Sequence, residues 1–586
     1  MHGTVVMDLG NSAFLAQDCP TTVNSSLWRL AQLNSRHGLF QVCDRIYQVR
    51  NFDISNMTIV VGDSGYIVVD PLYSEETAAA AMELVFEHLG SRPITGMVYT
   101  HAHLDHFGGS RGIISHDEAL ARSVPVVAPD GFMEHTINEN IFAGVAEARR
   151  NQFMFGAVLP KNPRGQVTSS LGIGVSTGVS TLVPPTTTIC GAGQTLVIDG
   201  VVFEFQSASG AECPAEFHFT LPEFGATCLA ENLSRVMHNI YTLRGAPVRD
   251  ALKWSKLIDE SIEHLADSVD VAFMGHHWPV WGVDQIRHFM GMQRDMYRFM
   301  HDETLRLINH GYTGNEIAET LTLPTELDQY WANRGLYGSL SHNVKAIYQR
   351  YLGWFDGNPA NLNPHPPNQA GARYVGAMGG IDHVIELAQL AYDEGDFRWA
   401  SELLKHVLAA DPDTPPARHL QSCTFEQMGY QAESGPWRNF YLSAAQELRG
   451  TEATGYRSAG DRGSELIAVM ETDSLLDYLG IRFNGSRESS LHLIAQLSVG
   501  DEERYVAVRN GTVRASASLR AGEQSQARMS MSKSTFIGLC RGSVQWHQSV
   551  STNLVEADGD VEALNRFWTA LDTFTGQFTL ATPRSV

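Results

Sequence analysis

The chain has 586 residues, 43% hydrophobic and 18% charged, so it can bury several cores and is too long for one. With 42 Lys and Arg against 65 Asp and Glu, its formal net charge is −23, which argues against a nucleic-acid or anionic-membrane surface but leaves room for a local basic pocket. The seven cysteines stand singly, without a CxxC pair, which excludes a disulfide scaffold, a zinc ribbon and a thioredoxin-type motif.

No run of 18 apolar residues occurs, and the opening MHGTVVMDLGNSAFLAQDCP lacks both a basic start and a sustained apolar stretch. No stable membrane insertion is expected. The chain reads as cytoplasmic, or as periplasmic or secreted if a leader was removed.

Along the chain, residues 58–70 read as a hairpin around Gly-Asp-Ser-Gly. Ser74 caps a helix running to His88 and stopped by Gly90. Strands are expected at 94–100 and 124–128. A hairpin spans 194–206 with its turn at Asp199-Gly200, and a further one pairs 217–220 with 226–229. A helix over 249–265 precedes a strand at 269–274. Residues 163–188, rich in Gly, Ser and Thr, read as a long loop of functional length. Strands mixed with helices in this half predict an α/β sandwich.

From Thr313, which forms a capping box with Glu316, strand signals vanish. Residues 358–369 look irregular. Helix pairs follow at 381–394 with 397–410, and at 415–428 with 437–448. Apolar stripes such as Ala400, Leu403, Leu404, Val407 and Leu408 mark their buried faces. The pairs resemble tetratricopeptide hairpins but are too few for a solenoid, so they must pack on something. Residues 451–463 read as a linker. Beyond it come a helix at 464–479, strands at 491–499, 504–509, 512–517 and 524–531, and an amphipathic helix at 561–574. Together they make a small α+β domain.

The strongest chemical signal is His101-Ala102-His103-Leu104-Asp105-His106. In extended backbone, residues two apart share a side, so His101, His103 and Asp105 converge, and one turn brings in His106. Imidazoles with a carboxylate suit zinc. Four ligands in so short a span exceed what one open catalytic ion draws from a loop, and two ions about 3.5–4 Å apart account for the density better.

This motif, at a strand end behind a Gly-rich hairpin and Asp70, resembles the metallo-β-lactamase superfamily. More specifically, THAHLDHFGG at 100–109, NIYTLRGAPVRD at 239–250 and HHWPVWG at 276–282 resemble the alkylsulfatases, alkyl/aryl-sulfatases that hydrolyse dodecyl sulfate. The resemblance covers nearly the whole chain. It implies an α/β fold: an αββα metallo-β-lactamase-like sandwich over 1–310, an all-α dimerisation domain over 311–450 and a small α+β sterol-carrier-like domain over 451–586.

The site follows from the resemblance residue by residue. His101 and His103, with Glu212 of AECPAE, resemble one zinc site; Asp105, His106 and His276 resemble the second; Glu231 of AEN bridges the metals or holds water between them. Most hydrolases of the superfamily carry a histidine and an aspartate where Glu212 and Glu231 fall, so two glutamates fit the alkylsulfatase branch and argue against a β-lactamase. His277 competes with His276 for the ligand role, and strand direction favours His276. The segment Asn239, Ile240, Tyr241, Thr242, Leu243 and Arg244 resembles the family's sulfate-contacting stretch. There Arg244 can fork onto two oxygens, Asn239 offers an amide and Tyr241 a phenol for the leaving group. Glu231, Tyr241 and Arg244 form the expected catalytic set.

Phe132, Ile141, Phe142, Phe153, Met154 and Phe155 are expected as walls for an alkyl chain, with 171–182 as a loop over the cleft. The implied activity is hydrolysis of a small amphiphilic sulfate ester, of the detergent type, to alcohol and inorganic sulfate. It would use two Zn2+ per subunit and water activated between them, in a homodimer. Thioester or phosphodiester hydrolysis on the same scaffold, and a lipid carrier with a vestigial metal site, stand as alternatives.

Overall fold

β-Rich runs separated by turn residues build two stacked sheets. In the first, β1 (Gly38–Cys43), β2 (Ile46–Arg50), β3 (Met57–Val61) and β4 (Tyr66–Val69) form an antiparallel meander. To it β5 (Ile94–Val98), β6 (Val126–Pro129) and β7 (Thr187–Ile189) add in parallel, in sequence order. The second sheet contains β8 (Gln194–Ile198), β9 (Val201–Ser207), β10 (Phe217–Leu221), β11 (Ala226–Cys228), β12 (Val271–Phe273) and β13 (Val280–Trp281), ordered β13-β12-β11-β10-β9-β8. The computed structural model describes residues 5–191, 193–265, 269–451 and 464–584. Nearly all of the linker expected at 451–463 therefore lies outside the described residues.

The alternation along β12 sets the layering. Val271 and Phe273 join Ile67, Val98, Phe203, Phe217 and Phe219 in the core between the sheets. Ala272 and Met274 point the other way, into a core with Trp254, Ile258, Phe289 and Met290. Those last residues belong to the helix Ala251–His264, N-capped by Asp250, and to Val283–Ile308, a 26-residue helix that the sequence reading does not identify. Ser74 and Gly90 bound the helix Glu75–Leu89, as expected. The outcome is the expected αββα sandwich.

The described chain divides into two compact units. The first lies within 1–135, 149–457 and 577–586, and the second within 136–148 and 458–576. The first holds both sheets and the helical segment. In that segment the Thr313–Glu316 capping box opens Gly314–Thr320, and the helix pairs run Ile381–Asp393 with Phe397–Ala410 and Pro415–Gln431 with Gly435–Arg449. Helix Pro367–Ala377 begins inside the stretch read as irregular, because Pro suits the first helical position.

Residues 163–188 form a strap that is buried over most of its length. Leu171, Leu182, Ser169 and Ser170 are buried. Asn34 donates to Ser170 O at 3.0 Å and Ser176 N donates to Asp53 at 3.1 Å, so the strap is tied down through buried polar groups.

In the second unit, β14 (Leu493–Val499), β15 (Glu502–Arg509), β16 (Thr512–Ser516), β17 (Ala527–Met531) and β18 (Val555–Gly559) form one sheet, ordered β16-β15-β14-β17-β18. The single helix expected at 464–479 is two, Ser464–Ile467 and Thr472–Arg482. Glu471 is extended (ψ 157°) and starts the second, with Asp473 in its first turn, where the helix dipole favours an acid. The last helix, Val561–Thr569, ends before the expected residue 574. Among the described residues no helix is long and apolar enough to cross a membrane.

Candidate metal centre

Behind β5 the chain crosses the edge of the sandwich. His101 makes an isolated antiparallel bridge with Glu216, and a short turn at Leu104–His106 then bends the backbone. Extended backbone followed by a turn brings all four motif side chains to one place. The loop after β11 supplies Glu231, the loop between β9 and β10 supplies Glu212, and the end of β12 leads to His276.

These seven side chains converge. One group is His101, His103, Glu212 and Glu231; the other is Asp105, His106, Glu231 and His276. In each group, one ligand-type atom per residue lies within 4.8 Å of all the others. Glu231 belongs to both: its Oε2 is 3.1 Å from His101 Nε2 and 3.3 Å from His106 Nε2, and its Oε1 is 3.2 Å from His276 Nε2. His103 Nδ1 is 3.2 Å from Glu212 Oε2. Burial pushes the Glu231 carboxyl up, but His276, His101, His103 and His106 outweigh it and hold Glu231 well below the usual carboxylate range.

The rings are oriented from behind. Asp70, in the left-handed region at φ 54°, accepts from Thr100 N at 2.8 Å and faces His106 Nδ1 at 2.9 Å. His276 Nδ1 is 2.9 Å from Ile54 O. Partners of this kind fix an imidazole so that its other nitrogen faces a metal. Gly275 leaves the space that His106 fills, since a Cβ there would stand 2.6 Å from the ring's Cε1. His277 is turned away: its Nδ1 accepts from Arg235 N at 3.3 Å, and its Nε2 faces Ser170 O at 2.8 Å. Of the two adjacent histidines, His276 joins a convergent group and His277 does not.

The donor set passes a simple test of fit. Among the described residues, His106 Nε2, His276 Nε2 and Glu212 Oε2 are buried without a hydrogen-bond partner. Orphaned nitrogens and carboxylate oxygens facing one small space are costly unless a cation satisfies them.

The segment 239–244 lies beside the centre, with Asn239 and Glu212 both bonded to Arg249. Asn239 and Ile240 are fully buried. Asn239 Nδ2 is a buried donor with no partner among the described residues. Arg244 is half-buried and donates to Gly245 O at 3.3 Å. Arg244 and Glu231 both act electrostatically on Tyr337, whose ring packs 4.9 Å from that of His238. Tyr241 departs from expectation. Its hydroxyl accepts from Arg150 Nη2 at 3.1 Å, and it lines a cavity of about 400 Å3 with Leu243, His342, Trp437 and Phe440, in which none of the seven convergent residues takes part. Thr242 donates to Met154 Sδ at 3.4 Å.

The expected alkyl walls are mostly core. Phe132 stacks on Tyr99 at 5.3 Å, Phe153 is buried, and Met154 and Phe155 pack with Leu171 and Tyr337. Ile141 and Phe142 fall in the second unit. Large apolar side chains at helical spacing satisfy a core as readily as a cleft.

Four important residues escape the sequence reading. Glu216, the second acid of AECPAE, accepts from Cys213 N and from Glu231 N, both at 3.2 Å, and so holds together the two loops that carry Glu212 and Glu231. Burial and the neighbouring Glu212 push its carboxyl well above the usual range. His238 contacts Glu231 Oε1 at 2.9 Å. Arg249 pairs with Glu212. Asn343, in the helical segment, donates to His238 O at 2.9 Å and accepts from Ile240 N at 2.8 Å. Glu216 and Arg249 stood within recognised motifs, but nothing in their spacing marked them.

Comparison with known proteins covers nearly the whole chain. Residues 50–203 match the metallo-beta-lactamase superfamily, 313–451 the alkyl sulfatase dimerisation family and 461–583 the alkyl sulfatase C-terminal family. A linear primary-alkylsulfatase from a Pseudomonas species is 42% identical over 586 residues, which is 99% of this chain and 86% of that protein. The alkyl/aryl-sulfatase BDS1 of Saccharomyces cerevisiae is 40% identical over 99% of this chain and 90% of its own length. The solved structure of the stereoselective inverting sec-alkylsulfatase Pisa1 from Pseudomonas superposes with a TM-score of 0.95 at 42% identity, covering 99% of this chain and 92% of that one.

Proposed function

The chain belongs to the alkylsulfatase family, and from that premise we propose how its buried centre works. The enzyme hydrolyses alkyl sulfate esters to an alcohol and inorganic sulfate. Two zinc ions per subunit would be held here, one by His101, His103 and Glu212, the other by Asp105, His106 and His276, with Glu231 within reach of both groups. The observation that carries this reading is the convergence of seven ligand-type residues, all buried but the partly exposed Asp105, whose inward atoms include three without a hydrogen bond. When bound, such a pair supplies Lewis acidity and water activation near neutral pH.

The protein's own groups do the rest. Glu231, kept ionised by its histidines, orients the attacking water. Arg244 and the free Asn239 amide hold the sulfate and offset the charge that grows on it as the ester bond breaks. Arg150, bonded to Leu243 O at 3.0 Å and to the Tyr241 hydroxyl, keeps the segment in place. The full-length likeness to alkylsulfatases and this donor pair favour a sulfate ester over the thioester, phosphodiester and carrier alternatives.

The test is metal content together with sulfate release from alkyl sulfates of several lengths. Two zinc ions per chain are expected, with release abolished by a chelator and restored by zinc. One ion per chain, or release indifferent to chelation, overturns the binuclear reading.

We also propose a homodimer built through the helical segment. Tyr351, Leu352, Trp354, Leu362, Tyr374, Leu390 and Trp399 are all exposed there, within residues that match the dimerisation family. Light scattering at the mass of one chain overturns this.

A further inference from the structure

Arg249 is buried, and it reaches both halves of the site with one guanidinium. Its Nε donates to Glu212 O at 2.6 Å, and its Nη2 pairs with the Glu212 carboxylate. Its Nη1 donates to Asn239 O at 2.8 Å and to Asn239 Oδ1, and lies 3.2 Å from His238 Nδ1. We propose that Arg249 is the positioning residue that couples the metal centre to the anion segment, by fixing which way the Asn239 amide and the His238 proton point. This inference rests on the sulfate-ester reading above.

A guanidinium has donors only. The Asn239 amide must therefore turn Oδ1 toward Arg249. That leaves Nδ2, fully buried and without a partner, as a donor for an oxyanion. In the flipped amide, two donors would face each other and the substrate would meet an acceptor.

The same constraint acts on His238. Its Nε2 faces the Glu231 carboxylate at 2.9 Å, and a carboxylate only accepts, so the ring proton sits on Nε2. Nδ1 is then unprotonated; of its two neighbours, Asn239 O at 3.1 Å and Arg249 Nη1 at 3.2 Å, Arg249 is the one that can donate to it. One side chain thereby sets the Glu212 carboxylate, the Asn239 amide and the hydrogen bond to Glu231. Removal of partners of this kind typically weakens metal binding or activity about 10–100-fold.

The test compares Arg249→Gln and Arg249→Lys with the wild type, each alone and combined with Asn239→Ala. Folding is checked by circular dichroism. The readouts are zinc retained after dialysis against a chelator, and KM and kcat on decyl sulfate. Arg249→Gln is expected to raise KM about tenfold or more and to lose zinc faster. In the Asn239→Ala background its effect on KM should shrink to less than about twofold, because the amide it orients is gone, while the zinc loss persists. Arg249→Lys, which keeps the charge near Glu212 but lacks the fork, should hold zinc better than Gln yet raise KM as much. It also serves as the test if the Gln variant fails to fold.

Equal effects on KM in both backgrounds, or unchanged zinc retention, overturn the proposal. Zinc retention is measured without turnover. A wild-type enzyme that binds zinc but releases no sulfate from any alkyl ester would therefore overturn the sulfate-ester reading and leave the metal half of this test standing.

Discussion

Two neighbouring stretches of the helical segment treat their large side chains in opposite ways. Around Tyr337, His342 and Asn343 the chain is buried. Tyr337 is 5% exposed and Asn343 not at all, and both are engaged with the backbone or rings of residues 238–240. From Tyr351 to Trp399 the segment instead leaves apolar groups in the open, with Trp354 at 74% and Trp399 at 50%. Burying a side chain of Leu or Phe size is worth about 1.5–3 kcal/mol; among the described residues the first stretch has found its partner within this chain and the second has not. A segment matched to a dimerisation family thus also buttresses residues 238–240 beside the proposed metal centre. The lesson is that a family label covers a stretch of sequence, whereas function divides along burial.

The largest expected effect comes from the inner side of this contrast. Arg244→Ala should lower kcat/KM on alkyl sulfates about 10²–10³-fold with metal content intact, as loss of a charge-stabilising donor does. A variant within tenfold of wild type would remove Arg244 from the site. Asn343→Ala should follow, at about 10²-fold, because the segment at 238–240 loses two tethers and small misplacements are costly in catalysis. If zinc content falls with it, the inner stretch supports the metals as well as the anion segment, and the division drawn above is too narrow.

Asp70→Asn should weaken metal retention about 10–100-fold by loosening His106, measured by competition with a chelator. On the outer side, Trp354→Ser combined with Trp399→Ser should convert a dimer to monomer in light scattering while kcat changes less than about twofold. A monomer that has lost activity would show that the outer stretch also shapes the site.

The smallest effect concerns acid stability. Burial pushes His218 down to about 3, whereas an unfolded histidine titrates near 6.5. The unfolded chain therefore takes the proton first, and stability declines as pH falls from about 6.5 toward 3, by about 1.4 kcal/mol per pH unit for this residue. His218→Gln should move the midpoint of acid unfolding to lower pH. No movement would mean that other groups dominate.

How far the sequence could be read depended on how local the signal was. His101, His103, Asp105 and His106 declare themselves because backbone geometry alone brings them together. Glu212, Glu231 and His276 come from separate loops and were legible only through family resemblance. His238, Arg249 and Asn343 were not legible at all, since their roles arise from tertiary packing: Asn343 meets Ile240 and His238 across 103 and 105 residues of sequence. The hairpins and capped helices were readable from Asp199-Gly200, Ser74 and Thr313. Helix Val283–Ile308 and strands β1 and β2 carry no comparable punctuation. The stretch at 163–188 reads by composition as a long loop, and its tertiary hydrogen bonds, which composition does not announce, tie it down.

Gly275 carries a consequence of its own. It contributes no functional group, yet the volume it vacates is the volume an imidazole occupies. In a saturation mutagenesis screen selected on detergent hydrolysis, this position should tolerate as few replacements as the histidine that follows it, while the same variants express normally. Such a pattern would mark an indispensable residue whose whole contribution is the room it does not take.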